Sequence, residues 1–429
     1  MGRIDEQDFD EKRLARRQRR KRSQLIAYIL LSVLLIIVII GGVFGVRYIT
    51  KVVNANKAVK LQQEEEAAAA LEASQNVVIE TPQDTAMEPQ EMTQGDVLDE
   101  IVNSCIGELS IEDKVAGLFM ITPEQLTGVE TVIKAGSSTQ DALSRYAIGG
   151  LVYASKNIKS NDQIIEMLRN TGSMSKYPVF TAIKEDGTSS GCIQASLGGI
   201  EIPDINSSDA AYTAGTNIAA AMFKYGFNLN FAPNLDISEN GKYGTDKDVA
   251  SDITAAFASA LSDSGIIACV HDFPVSADTA SGMAIDESGS EQLATGAYSI
   301  YKNAFENGNV KAVMLSNVSI PNVVGDNTPV SLSSVMIQDE LRGVLGFDGI
   351  VITGPLNQKA ITENYSPAEA AVNAIASGAD MIYLPEDFSA AYQGLLEAVE
   401  NGKITEDRLD ESLRRIYRLK YQDRVDDMN

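Results

Sequence analysis

Eight short apolar runs recur between residues 117 and 384 and alternate with amphipathic segments of helical length. The runs cover residues 117–121, 150–153, 179–183, 229–232, 266–270, 312–315, 350–352 and 381–384. The main segments between and after them cover residues 162–171, 210–225, 250–264, 292–307, 367–377 and 388–401. Strands buried on both faces of a parallel sheet read as continuous apolar runs, and helices connect them. The alternation therefore predicts an α/β fold of the (β/α)8 barrel type. A doubly wound sheet is the alternative, but no Gly-x-Gly-x-x-Gly motif follows the first run.

The seventh run, residues 350–352, ends abruptly at Thr353, Gly354 and Pro355. Because Pro355 has no backbone N–H to donate, a central strand cannot continue through it. In a (β/α)8 barrel the carboxyl ends of the strands form the rim that carries functional groups. Gly354 is therefore predicted to lie at that rim.

Residues 25–44 form an uncharged run rich in Leu, Ile and Val. About 20 residues at ~1.5 Å each match the hydrocarbon core of a bilayer, so we predict a transmembrane helix over residues 25–45. The Arg/Lys cluster before it, residues 16–22, marks the cytoplasmic side. A signal peptide is the alternative, but its apolar core is usually only about 7–15 residues long. The expected protein is a single-pass protein of the cell membrane, with a basic cytoplasmic tail over residues 1–24 and the remainder extracellular.

Two further regions follow the predicted anchor. Residues 46–96 are rich first in Glu, Ala, Lys and Gln and then in Pro, Thr and acidic residues, which indicates a helical stalk and a linker. Residues 97–429 are predicted to form the barrel. The chain carries a formal net charge of −24, with the excess of acid after the basic tail. Such a charge argues against nucleic acid as a partner.

Cysteine and histidine are scarce in this chain. Three cysteines, Cys105, Cys192 and Cys269, show no short spacing, so neither a disulfide framework nor a zinc site is expected. Cys269 lies inside an apolar run and is expected to pack in the core. His271 is the only histidine, which leaves one imidazole for any metal site or Ser-His pair. No metal or cofactor is therefore expected.

Several phrases of the barrel region resemble glycoside hydrolase family 3, in its β-N-acetylhexosaminidase branch. The most specific is the Phe-Ala-Pro-x-x-Asp phrase around Phe231 and Asp236, which is similar to the family's fourth strand. The other phrases lie at residues 110–120, 149–157, 329–333, 345–349 and 377–380. The resemblance covers about residues 109–380 and implies the same barrel. Asp236 and Asp380 are expected to brace loops rather than to contact ligand.

The positions that carry chemistry in the family depart from its pattern. The resemblance implies a nucleophilic Asp after the seventh strand, where this chain has Gly354. Lys184 stands at the place of a sugar-binding Asp, and His271-Asp272 stands at the place of a Lys-His pair. The histidine acid of the branch has no counterpart in the loop after residue 272. The candidate pocket residues at these positions are Lys184, Asp186, Asp236, Lys242, His271, Asp272 and Asp278.

Three functional hypotheses follow from these departures. The first is a catalytically inactive pseudo-glycosidase that binds cell-wall glycan or a protein partner. The second is an active β-N-acetylhexosaminidase that cleaves peptidoglycan or chitin fragments with a relocated pair of carboxylates, Asp272 with Asp278 or Asp186. The third is a protein-binding module that keeps the barrel only as a scaffold. Tyr153, Tyr243 and Tyr383 could stack on sugar rings, although packing within the protein is the simpler expectation.

Overall fold

The computed structural model of the protein describes residues 93–186, 188, 191–234 and 246–426, with side chains as far as residue 422. The predicted cytoplasmic tail, transmembrane helix and stalk lie outside the described residues. Within the described ranges no helix combines the length and the apolar character needed to cross a membrane.

Eight parallel strands form the centre of the fold. They are β1 Phe119–Ile121, β2 Gly150–Val152, β3 Phe180–Ile183, β4 Leu229–Asn230, β5 Ile267–Phe273, β6 Ala312–Leu315, β7 Ile350–Ile352 and β8 Ile382–Tyr383. Each strand pairs with the next along the chain, and β1 also pairs with β8. A parallel bridge between Ile352 and Met381 joins β7 to the start of β8 and closes the sheet. The predicted barrel is confirmed.

Helices surround the strands. They are α1 Gln94–Gly107, α2 Ile111–Ala116, α3 Pro123–Thr127, α4 Ser137–Arg145, α5 Asn161–Met174, α6 Cys192–Leu197, α7 Ser208–Tyr225, α8 Lys247–Asp263, α9 Ser290–Thr295, α10 Ala297–Asn307, α11 Pro321–Val324, α12 Lys359–Thr362, α13 Pro367–Ser377, α14 Phe388–Glu400 and α15 Glu406–Asp426. Short 3-10 turns at Ser155–Asn157 and Val330–Leu332 and a π-helical segment at Val335–Val344 complete the set. The expectation of one helix over residues 292–307 is wrong, because Gly296 breaks the helical geometry between α9 and α10.

The strands are buried because the helices cover their outer faces and large side chains fill the interior. Every residue of β1, β2, β3, β6 and β7 is buried. Cys269 is buried inside β5, as its apolar surroundings predict. Helix starts follow local sequence signals: Ser366 and Glu369 form a reciprocal capping box at the start of α13.

Asp380 braces the amino-terminal end of the barrel. Its carboxylate is fully buried and lies 2.7 Å from Arg342 and 3.0 Å from Arg415, and it accepts a hydrogen bond from Ser412 at 2.7 Å. Arg415 and Ser412 belong to α15, which therefore packs against this end of the barrel. Asp380 thus braces as expected, but it lies before β8, at the end opposite to the rim that carries functional groups.

Candidate functional site

A cavity of about 210 Å³ opens at the carboxyl-terminal end of the barrel. Residues at or after the ends of β3, β4, β5, β6, β7 and β8 line it, so the barrel itself brings together positions far apart in the sequence. The lining residues are Lys184, Phe231, Asn234, His271, Asp272, Ala277, Thr279, Met314, Leu315, Ser316, Asn317, Pro355, Gln358 and Tyr383. We refer to this space as the mouth cavity.

The end of β5 carries the titratable side chains of the mouth cavity. The pairing of β5 with β6 shifts register between Val270 and Phe273, so His271 and Asp272 lie in a β-bulge. A bulge interrupts the strict alternation of side chains and can re-aim them. Both His271 and Asp272 line the cavity as a result. The strand extends three residues beyond the predicted run, whose sequence pattern does not show the bulge.

His271 and Asp272 form a hydrogen-bonded pair. His271 Nδ1 lies 3.1 Å from Asp272 Oδ1, and the Ser276 hydroxyl donates to Asp272 Oδ2 at 2.9 Å. Burial alone would raise the pKa of Asp272, but attraction to His271, hydrogen bonds from His271 and Ser276 and the charge of Lys184 together outweigh it. The pKa of Asp272 therefore lies below its ordinary value, and the group is a carboxylate at neutral pH.

Four polar atoms of the mouth cavity have no hydrogen-bonding partner among the described residues. They are Asn234 Oδ1, His271 Nε2, Ser316 Oγ and Asn317 Oδ1. The residues His271, Ser316 and Asn317 are almost completely buried, with 5%, 5% and 1% of their surface exposed. Buried polar atoms are nearly always paired with protein, water or ligand. This concentration in one cavity indicates a site built to hydrogen-bond a bound molecule.

The position of the expected nucleophile is closed. Gly354 is buried, and a Cβ atom there would lie 2.8 Å from Asn317 Oδ1 and 2.8 Å from the carbonyl oxygen of Leu315. Asn317 is held in place because its amide nitrogen donates to the Pro355 carbonyl and to Gln358 Oε1, both at 2.8 Å. Even the first carbon of an aspartate side chain would therefore clash at this position.

The other carboxylates proposed from the sequence serve local turns. Asp186 Oδ1 accepts from the backbone N–H and the hydroxyl of Thr188, and Asp278 Oδ1 accepts from the backbone N–H of Ala280 and of Ser281. Neither of these carboxylates lines the mouth cavity. Within the described part of the lining, Asp272 is the only carboxylate. Asp236 and Lys242 lie outside the described residues.

Glu185 is a buried carboxylate that the sequence analysis did not single out. Its Oε2 accepts from the backbone N–H of Ile193 at 2.8 Å and of Gln194 at 3.0 Å, near the start of α6. It therefore stabilises the amino-terminal end of that helix rather than facing the cavity. The spacing of eight residues between Glu185 and Ile193 gives no recognisable capping motif in the sequence.

The tyrosines considered for sugar stacking separate in the structure. Tyr153 is 2% exposed and packs edge-on against Phe227, so it belongs to the core. Tyr383 lines the mouth cavity and lies 5.0 Å from the ring of Phe231. These two rings give the cavity one aromatic wall. Tyr243 lies outside the described residues.

The sequence matches the model of the glycosyl hydrolase family 3 N terminal domain over residues 110–419. The chain therefore belongs to glycosyl hydrolase family 3. The resemblance deduced from the scaffold phrases is thereby confirmed. Among the described residues no group of histidine, cysteine and acidic side chains is arranged to hold a metal ion.

Curated relatives of this family 3 chain are β-hexosaminidases. It is 24% identical to β-hexosaminidase A of Pseudoalteromonas piscicida, with the match covering 65% of this chain and 54% of the relative. It is 26% identical to the β-hexosaminidase of Vibrio cholerae, over 66% of this chain and 88% of the relative. The match thus spans about half of one relative and most of another.

A solved structure gives the same assignment. The family 3 β-N-acetylglucosaminidase of a Paenibacillus species superposes with a TM-score of 0.66 and 28% identity, over 74% of this chain and 63% of that one. The protein is therefore like a β-N-acetylglucosaminidase of family 3.

Proposed function

We propose that this family 3 barrel is a pseudo-glycosidase that binds the end of a wall glycan in its mouth cavity and does not cleave it. The observation that carries the proposal is the closed position at Gly354, where Asn317 Oδ1 and the Leu315 carbonyl occupy the space of a nucleophile. Retaining hydrolysis uses two carboxyl groups about 5–5.5 Å apart. The described lining supplies one, Asp272.

The polar atoms of the cavity support binding of a polyhydroxylated ligand. Asn234 Oδ1 and Asn317 Oδ1 are acceptors, and Ser316 Oγ can donate or accept. His271 Nε2 is a further polar atom of the set, an acceptor in the neutral ring that donates Nδ1–H to Asp272 and a donor in the charged ring. Such a set suits a ligand with several hydroxyl or amide donors. A volume of about 210 Å³ suits one sugar ring rather than an oligosaccharide.

The proposal includes the location predicted from the sequence. Residues 25–45 would anchor the protein in the cell membrane, with residues 1–24 in the cytoplasm and the barrel outside. The uncharged run and the preceding basic cluster support this arrangement. It would place the mouth cavity in the compartment that contains the wall glycan.

Hydrolysis with a relocated carboxylate is the second candidate. The observation that favours it is the Asp272–His271 pair, since Asp272 is ionised and lines the mouth cavity. Asp186 and Asp278 supply no second carboxylate there, because neither lines the mouth cavity. The second carboxylate would have to come from residues that the structure does not describe.

Sugar binding can be measured by titration calorimetry on the purified full-length protein with N-acetylglucosamine and its β-1,4-linked dimer. We expect binding of both, with the single ring supplying most of the affinity. Ser316→Ala should weaken binding several-fold, because it removes a hydrogen bond worth about 0.5–1.5 kcal/mol. Ser319→Ala is the matched control: its hydroxyl is also buried and without a partner among the described residues, but it does not line the cavity.

The possible results separate the hypotheses. Binding that weakens in Ser316→Ala and not in Ser319→Ala supports the proposal. Equal effects of the two variants, or no binding of either sugar to the wild-type protein, would overturn it and favour a barrel kept only as a scaffold for a protein partner.

A further inference from the structure

A second and larger cavity, of about 460 Å³, lies at the opposite, amino-terminal end of the barrel. The residues that lead into β3, β4, β5 and β6 line it, together with the last described side chains of α15. The lining residues are Pro178, Val179, Phe180, Asn228, Ser262, Gly265, Ile266, Ile267, Asn309, Lys311, Leu419, Lys420 and Gln422. We refer to this space as the basal cavity.

The basal cavity is lined by basic residues, although the chain as a whole is acidic. Lys311 and Lys420 line it, and no aspartate or glutamate does among the residues whose side chains are described. The chain has 59 acidic residues against 35 lysines and arginines, so two lysines with no carboxylate in the described lining are unexpected. Neither lysine takes part in an ion pair within the described residues. Neither side chain therefore has a counter-ion among the described residues.

Lys420 is partly buried and its ammonium group lies over two aromatic rings. Its ammonium nitrogen lies 4.8 Å from the ring centre of Phe180 and 5.1 Å from that of Tyr417. Burial lowers the pKa of Lys420 to about 7, and the only opposing influence is the thiol of Cys105 on α1. A partly desolvated ammonium group with no ion-pair partner among the described residues gains more from an incoming anion than a fully exposed lysine does.

The other lining residues of the basal cavity indicate which groups a ligand needs besides its negative charge. Val179, Phe180 and Ile266 are buried apolar side chains of the lining, and Leu419 is partly buried beside them. The backbone carbonyl of Asn309 already accepts the Ser262 hydroxyl, and Asn228 Oδ1 accepts the Thr181 N–H. The lining thus offers apolar surface and positive charge in preference to further hydrogen-bonding groups.

We propose that the basal cavity binds a small organic anion, a carboxylate or a phosphate ester with an apolar body. The anionic group lies against Lys420 and Lys311, and the apolar body lies against Val179, Phe180 and Leu419. This site is separate from the mouth cavity and does not depend on what that cavity binds.

Binding of the anion at this site is linked to proton uptake. In the free protein Lys420 is largely neutral above pH 7, and a bound anion favours its charged form. Complex formation at pH 8 therefore takes up a proton, and affinity falls as pH rises above 7. The other ionisable side chains near Lys420 among the described residues include Lys311, Tyr417, Tyr421 and Cys105.

Titration calorimetry on the full-length protein tests this proposal with benzoate, phenyl phosphate and the neutral analogue benzyl alcohol. We expect the anions to bind at least about tenfold more tightly than the alcohol, since a charge-assisted hydrogen bond contributes about 1.5–3 kcal/mol. The benzoate and phenyl phosphate arms decide between the carboxylate and the phosphate ester. Heats measured at pH 8 in two buffers of different ionisation enthalpy should reveal proton uptake.

Variants separate the charge of Lys420 from its shape. Lys420→Met should reduce anion affinity by about tenfold or more and abolish proton uptake, whereas Lys420→Arg should keep the affinity and lose only the uptake. Lys302→Met removes an exposed lysine of α10, which is paired with Glu306, and should change nothing. Equal binding of anion and alcohol, or wild-type binding without proton uptake at pH 8, would overturn the proposal. The wild-type measurement decides the question even if Lys420→Met fails to fold.

Discussion

Replacing Gly354 by alanine tests whether the position of the missing nucleophile is closed. The added Cβ would lie 2.8 Å from Asn317 Oδ1, 2.8 Å from the Leu315 carbonyl and 3.0 Å from Asn317 Cγ. Unstrained contacts between such atoms are about 3.5–4.0 Å long. Asn317 and the Leu315 carbonyl would therefore each have to move more than about half an ångström away from the new Cβ. Leu315 ends the buried strand β6 and cannot retreat.

The loss of stability in Gly354→Ala depends on whether the strained contacts remain or Asn317 moves. Overpacking in a buried site costs about 1–3 kcal/mol. If Asn317 moves instead, it gives up its hydrogen bonds to Pro355 and Gln358, each worth about 0.5–1.5 kcal/mol. We therefore expect Gly354→Ala to lower the free energy of unfolding by about 2–4 kcal/mol.

Urea unfolding followed by circular dichroism measures this difference, since the chain has no tryptophan to report by fluorescence. Gly172→Ala is the matched control: its added Cβ meets nothing within 4 Å and lies inside α5. The free energy of unfolding of that variant should rise by about 0.5–1 kcal/mol, because alanine has a better helix propensity than glycine. If Gly354→Ala proved as stable as the wild-type protein, the position would have room for a side chain and the reasoning would fail.

Three further predictions concern other parts of the barrel. Ile352→Asp should lower the free energy of unfolding by several kcal/mol, because Ile352 is fully buried in β7; an unchanged melting temperature would contradict this. Asp380→Ala should cost about 3–5 kcal/mol in urea unfolding, because it removes the carboxylate paired with Arg342 and leaves Arg415 only its pair with Glu411. Asp272→Asn should be less stable than wild type at pH 7. Because the folded pKa of Asp272 lies below its ordinary value of 3.8, that difference should shrink as pH falls below 3.8.

The barrel could be predicted from the sequence because its strands are buried on both faces. The runs at residues 312–315 and 350–352 coincide with β6 and β7, since each is bounded by turn signals and contains no polar residue. The end of β5 could not be predicted, because a bulge leaves no mark on composition. The break at Gly296 was missed because a single glycine does not always end a helix.

The candidate site was predictable only in part. The sequence indicates that Gly354 lacks a nucleophile, but the closing of that position depends on Asn317 and Gln358, which come from different strand ends. Asp278 looked like a rim carboxylate and instead accepts hydrogen bonds from its own turn. The basal cavity was missed because it joins Lys420 in the last helix to residues before four strands, a contact that only the folded chain creates.

The central claim, that this barrel binds without cleaving, is tested most directly by turnover of a chromogenic N-acetylglucosaminide by the purified full-length protein. A family 3 β-hexosaminidase assayed alongside provides the positive control. We expect the wild-type protein to release chromophore no faster than buffer does. The same is expected of Gly354→Asp, because catalytic residues act together and a carboxylate restored at position 354 does not replace the others. Turnover by the wild-type protein that disappears in Asp272→Asn would contradict the claim and establish Asp272 as a relocated catalytic carboxylate.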